Sequence, residues 1–302
     1  MTHADSTVRR DHAAIWDFAS RANASMASMW DPVVERAVAD LGVDRTTLVM
    51  LSFLLAKEPH AMSLADFAQL SAYSAPTFFT ERLARATGVG HSSHEPSVGW
   101  RLTTPGRQRM MRLHADIATA IAGADPLAPS DSSRLAEHLQ VLVDASLATP
   151  APPTPRMSWY MHRLIVAGDA PLARVVRALV CLDAYRSDAH QDAWRASGLS
   201  ATAIEVLTAL WRRPGSLAQV CEQLAVRGHP YEVYAVALGD LRRRDLVVGS
   251  DEVLELTSAG TELRSELEVS TDRLFFAPWE CIGAEAGAEL DGLLRLLNFE
   301  GL

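Results

Sequence analysis

One short signal, met twice, constrains this chain more than any other. Leu102-Thr-Thr-Pro-Gly-Arg107 in the first half is matched by Leu256-Thr-Ser-Ala-Gly-Thr261 in the second. In each, a strand-like piece ends on Leu-Thr and a glycine lets the chain reverse into a long helix. The signals ahead of it run in the same order. In the first half residues 45–56 form an apolar segment of helical period, Ser63 caps residues 64–70, and Ser74 with Pro76 opens a helix to Thr87. A strand at residues 99–103 and a helix over residues 107–122 follow. In the second half Ser200 caps residues 203–211, Ser216 caps residues 217–225, and Pro230 opens a helix through Arg244. A hairpin over residues 246–257 and a helix from Thr261 complete that half. Serine or threonine before an apolar run supplies the N-cap acceptor, and proline suits a first helical turn.

Helix, short helix, helix, hairpin, long helix is the layout of a winged helix-turn-helix. Between the two series lies Ala148-Thr-Pro-Ala-Pro-Pro-Thr-Pro-Arg156, whose four prolines cannot continue a helix. The expected organisation is an N-terminal winged-helix half at residues 1–147, a linker at 148–156 and a divergent C-terminal half at 157–302. The fold class is mainly α with short β-hairpin wings.

Both halves resemble the MarR-type winged-helix regulators, through Leu41-Gly42, Ser63-Leu-Ala-Asp-Phe-Ala68 and the Leu-Thr-x-x-Gly hairpin exits. The second half is similar to a group of tandem winged-helix proteins of actinobacteria, the SCO-type helix-turn-helix family. The residues that carry this are Tyr185-Arg-Ser-Asp-Ala-His190, Leu256-Thr-Ser-Ala-Gly260, Thr271-Asp-Arg273 and Ala277-Pro-Trp279. The resemblance implies an intramolecular pseudo-dimer, with two recognition helices entering successive major grooves. Helices at residues 16–39 and 107–122 from one half, and at 132–147, 157–186 and 262–297 from the other, would build the dimerisation bundle.

A formal net charge of −9 argues against a chain coated in DNA on both lobes. Its distribution leaves room for one reader. Residues 74–114 hold six arginines against two acids, and residues 229–269 hold four arginines against nine acids. A reader needs hydrogen-bonding side chains on base edges and cations near phosphates. In the first half these are Ser74, Thr77 and Thr80 at the start of the helix, Arg82 and Arg85 along it, and His91, His94 and Arg101 on the wing. The second half offers Tyr231, Glu232 and Tyr234 on its helix, and Asp251 and Glu252 at its wing tip would repel phosphate.

The reading is a cytoplasmic transcriptional regulator that binds double-stranded DNA through its N-terminal winged helix and responds to a small-molecule effector. It is a monomeric pseudo-dimer or a homodimer. Aromatic and imidazole side chains at Trp30, Trp159, Tyr160, His162, Tyr185, His190 and Trp194 are the candidate ligand contacts. The alternative is a repurposed winged-helix scaffold that binds a small molecule or a protein, including an enzyme in the inter-lobe cleft, without binding DNA. Asp183, Asp188, His190 and Asp192 form either a metal or acid–base cluster or a polar helix end with capping roles. His91-Ser-Ser-His94 has metal-like spacing on a glycine-flanked wing that makes a poor cage. No phosphate-loop, zinc-protease or nucleophile-elbow pattern is present, so no catalytic residue, metal or cofactor is assigned. Cys181, Cys221 and Cys281 are spaced as free thiols of a reducing compartment. The apolar run at residues 48–56 is too short to span a bilayer, and residues 1–10 lack the apolar core of a leader.

Overall fold

A computed structural model describes residues 3–124, 126–149, 152–164 and 170–297. In chain order the helices are α1 His3–Met26, α2 Asp31–Leu41, α3 Arg45–Lys57, α4 Leu64–Leu70 and α5 Pro76–Gly88. Strands β1 Ser92–Glu95 and β2 Gly99–Leu102 follow, then α6 Thr104–Ala122, α7 Pro129–Ala148, α8 Met157–Leu164 and α9 Pro171–Arg195. The remainder is α10 Ala201–Arg212, α11 Leu217–Gln223, α12 Tyr231–Arg243, β3 Val247–Ser250, β4 Val253–Leu256, α13 Ser258–Phe276 and α14 Ala284–Leu296. The architecture is thus mainly helical with two small antiparallel hairpins, β1–β2 and β3–β4, compatible with winged helices. No helix among the described residues is long and apolar enough to cross a membrane.

Prolines cut three of the helices expected to be continuous, because the ring fixes φ and removes a donor. The segment at residues 16–39 stops at Met26, makes a 3-10 turn over Ala27–Met29 and restarts at α2 with Pro32 in its first turn. The segment at residues 157–186 divides into α8 and α9, the latter opening on Pro171. A 3-10 turn over Ala277–Cys281, with Pro278 at its start, separates α13 from α14.

The chain packs as two compact units that do not coincide with the halves on either side of the proline-rich stretch. The first comprises Met1–Met62, Leu83–Asp188 and Phe275–Leu302, and the second Ser63–Arg82 and Ala189–Leu274. The proline-rich stretch therefore lies inside the first unit. There the ring of Trp16 meets Phe275 edge-on at 4.7 Å, with Trp279 fully buried beside it. Asp188, also fully buried, closes the start of α8: its carboxylate accepts the N–H groups of Arg156, Met157 and Ser158 and the Ser158 hydroxyl, at 2.7–3.1 Å. Asp188 thus caps a helix, but from inside α9 and on α8, not as part of the polar helix end that its cluster suggested. The core of the second unit is built from Ile204, Leu207 and Leu210 of α10, Val220 of α11, Tyr234, Leu238 and Leu241 of α12, and Leu254 of β4.

Matching hydrogen bonds recur in the two series. Ser63 and Ser216 each close a capping box, with Asp66 and Gln219 as partners. Met62 and Gly215, one residue before these caps, form isolated bridges to Trp100 and Leu254 on the hairpins. At the hairpin exits Thr103 Oγ1 accepts from Gly106 N–H, and Thr257 Oγ1 accepts from Gly260 N–H, both at 3.0 Å. The same hydroxyls donate back to the carbonyls of Gly90 and Asp245, both at 2.7 Å. Each glycine is required by proximity. A Cβ on Gly106 would lie 1.9 Å from the carbonyl oxygen of His91, and one on Gly260 2.1 Å from that of Leu246. The repeated Leu-Thr-x-x-Gly signal is therefore a helix cap plus a close backbone approach.

Candidate nucleic-acid interface

In the first series, helix α5 and hairpin β1–β2 carry the residues expected to meet DNA. Apolar Phe79, Leu83 and Ala86 turn one face of α5 inward. The opposite face exposes Thr77, Glu81, Ala84 and Arg85, with Thr80 half-buried beside them. Arg85 is 62% exposed and lies 4.0 Å from Asp44, a pair too open to hold it strongly. Arg82 lies back along its own helix. Its guanidinium stacks 4.0 Å over the Phe78 ring and donates to the Phe78 carbonyl at 3.0 Å.

On the hairpin, Arg101 is exposed, and His94 is exposed and stacked on Trp100 with ring centroids 4.1 Å apart. His91 differs from its expected place on the wing surface. It is 2% exposed, its Nε2–H donates to the Leu41 carbonyl at 2.9 Å, and its Nδ1 accepts from Arg109 at 3.0 Å. These partners make it a strut at the wing's base.

Ser74 is likewise turned in, 7% exposed and paired with Ser71 Oγ at 3.1 Å. The cause lies within the second unit. The N–H of Ala75, at the entry to α5, donates to the Arg227 carbonyl at 2.8 Å. His229 Nε2 donates to the Tyr73 carbonyl at 2.9 Å. Gly228, at φ +74°, sits so close that a Cβ there would be 3.3 Å from that of Phe78. Arg227 is itself fixed by a 2.7 Å bond to the buried carboxylate of Glu205 and covers the Tyr73 ring. This junction holds the starts of α5 and α12 within about 25 Å of each other, by covalent reach alone. Recognition helices that enter successive major grooves with their N-terminal ends stand about 34 Å apart.

The corresponding face of α12 exposes Tyr231, Glu232, Val236 and Arg243. Tyr234, expected beside them, is fully buried and donates to the Leu224 carbonyl at 3.3 Å. At the β3–β4 tip Arg242 binds Asp251 at 2.9 Å and the Gly249 carbonyl, while Ser250 donates to Glu252. Arg242 of α12 is thus engaged by the hairpin that follows it.

One of the seven candidate ligand contacts lines a cleft in the first unit. This cleft, about 250 Å³ in volume, is lined by Trp30, Leu48, Ser52, His114, Ile117, Met161, Val176 and others. Of the seven candidates only Trp30 lines it. Tyr160 is buried against Phe53, Trp159 lies under Arg163, and Tyr185 packs on Phe275. His162 is half-buried, its pKa lowered by burial and by Arg177. His190 bonds Thr271, and Trp194 packs on Tyr73 in the second unit. His114, absent from the sequence candidates, is the polar feature of the cleft. Burial pushes its pKa down to about 4, and its Nε2 lies 3.1 Å from Ser52 Oγ. Arg45, also at the cleft, is taken up by Asp31 at 3.0 Å and Glu35 at 2.6 Å.

A family model described as a helix-turn-helix family matches residues 96–298, more than half of the chain. No curated protein and no solved structure matches.

Proposed function

The chain belongs to the helix-turn-helix family, and from that premise we propose that it is a DNA-binding transcriptional regulator whose first series is the reader. The observation that carries this is the contrast between α5 and α12. The exposed face of α5 offers the hydroxyls of Thr77 and Thr80 and the Arg85 guanidinium, held only loosely by Asp44 at 4.0 Å, whereas that of α12 centres on Val236, which is 72% exposed, between Glu232 and an Arg243 paired with Asp240 at 3.2 Å. In this reading Thr77, Thr80 and Arg85 meet base edges in a major groove. His94 and Arg101 of the hairpin meet sugar and phosphate. Arg82 is a positioning residue that stiffens α5 through Phe78, and Ser74 and His91 support the two ends of the motif from inside.

Matched caps, bridges and glycines support reading the two series as tandem winged helices of MarR-like ancestry, the second retained as scaffold. The junction at Ala75 and Arg227 favours one reader per chain over two readers in successive grooves. A small-molecule effector belongs to the same proposal, since the cleft at Trp30 and His114 is apolar and its one cation is already neutralised. It favours an uncharged, ring-sized ligand. Indole is a suitable probe, expected to raise the thermal midpoint of the wild type and not of a Ser52→Trp variant that fills the cleft.

The decisive test is binding to a randomised pool of labelled duplexes over a series of salt concentrations. Arg101→Ala should weaken binding to all sequences and lower the salt slope by about 1, and Arg85→Ala should cost about 1–3 kcal/mol on the preferred sequence and relax specificity. An unchanged slope would remove the first series from the role of reader.

A further inference from the structure

Helix α12 presents a stripe of three exposed side chains and one half-buried glycine. Glu232, Val236, Gly239 and Arg243 follow one another at spacings of four, three and four. At about 100° per residue they fall within roughly 60° of arc. Val236 is 72% exposed, Arg243 is 71% exposed, and Glu232 is exposed at the helix's first turn. Val226, Val253 and Val269 are nearly as exposed, at 64–69%, so it is the order of side chains along the α12 stripe, not the exposure of one valine, that points to a contact.

The order along the stripe is self-complementary. It reads acid, apolar, glycine, base, and it is symmetric about a point between Val236 and Gly239. Laid antiparallel on a second copy of itself, the stripe brings Glu232 to Arg243 twice and seats Val236 twice against Gly239, once the Arg243 guanidinium, which lies 3.6 Å from where a Cβ on that glycine would be, swings out to its new partner. A two-fold interface requires this kind of patch, in which each residue meets its complement by the same operation. Glycine permits the close approach that a side chain there would prevent. Arg243 is free to change partners at little cost. Its present partner is Asp240 at 3.2 Å, and Asp240 keeps Arg244 at 3.0 Å.

We infer that the α12 face is a homodimer contact, in which two copies of this chain pair through antiparallel α12 helices. The helix has 13 residues, about 20 Å of contact, well below the face of a standard-size complex. The dimer is therefore weak and concentration-dependent. Pairing gives each assembly two first-series readers, although the contact is defined without DNA and is tested without it.

Sedimentation equilibrium of the full chain in the absence of DNA, from micromolar to millimolar protein, tests the inference. The wild type should show reversible monomer–dimer behaviour, and Val236→Arg should abolish it. Glu232→Arg alone and Arg243→Glu alone should each weaken the dimer by about tenfold, because two attractive pairs become two repulsive ones. The double variant Glu232→Arg, Arg243→Glu should restore it to within about twofold, since both pairs re-form with signs exchanged. Both reversals oppose the helix dipole, so thermal melts of every variant establish that the measurement is made on folded protein. A wild type monomeric throughout the range overturns the inference. So does a dimer indifferent to Val236→Arg, or a double variant no better than its parents. A Val236→Arg chain that gains DNA affinity from a monomeric wild type assigns the face to DNA and overturns it equally.

Discussion

Gly106 and Gly260 do the same work at matched positions, and each can be tested alone. Replacing either with alanine forces a Cβ onto a backbone oxygen about 2 Å away, an overlap that only backbone movement relieves. Each substitution should cost about 3 kcal/mol or more in chemical denaturation, whereas Gly292→Ala, exposed within α14 with open space around it, should be neutral or stabilise slightly. His114 supplies a pH prediction. Its folded pKa is about 4, against an ordinary 6.5. Its neutral form is the one that fits, so the unfolded chain takes up a proton first as pH falls. The contribution is complete above about pH 6.5 and is lost between there and pH 4. Its size is on the order of 2 kcal/mol after allowance for partial exposure. His114→Asn should flatten that limb of the pH–stability curve, and an unchanged limb would assign it to other groups.

At the level of elements, caps were the most readable part of the sequence. Ser63, Ser200 and Ser216 cap the helices their positions indicated, because an N-cap depends on residues three apart. Helix faces were less readable. Tyr234 has both an apolar ring and a hydroxyl, so its type fits either side of α12, and a carbonyl at Leu224 decided for the inside. Ser74 has the position of a cap before Pro76, yet it is Arg227 that binds the entry to α5, and no local pattern reports a partner that far along the chain. Breaks at Pro32, Pro171 and Pro278 were visible as residues, but the helical period on either side hid them. The capping role of Asp188 was among the readings of its cluster, though its target, α8, was not. Asp188→Ala should leave three N–H groups unmatched, that of Ser158 buried and those of Arg156 and Met157 part-buried. It should cost about 2–4 kcal/mol, with faster hydrogen exchange at Arg156, Met157 and Ser158 than at Leu142 of α7.

For the whole molecule, the junction between Tyr73–Phe78 and Arg227–His229 matters more than the net charge of −9. Arg227→Ala should cost about 3 kcal/mol near neutral pH, because the Glu205 carboxylate stays buried without its cation. Burial already raises the pKa of Glu205, and losing Arg227 raises it further. The deficit should shrink as pH falls and the carboxyl takes a proton, which denaturation at several pH values would reveal. A constant deficit would point to lost packing over Tyr73 instead. His229 and Tyr73 are 156 positions apart in sequence, yet one finishes the backbone bonding of the other. This has an evolutionary side. A duplicated segment ordinarily gains independence, free to drift, to be deleted or to be passed on alone. Under the proposed duplication, the later series supplies the carbonyl that receives the N–H at the entry to a helix of the earlier one, which ties the inheritance of the two together. Changes in the turn at residues 227–229 will be tolerated only in company with changes at residues 73–78, and the two stretches should evolve as a single locus.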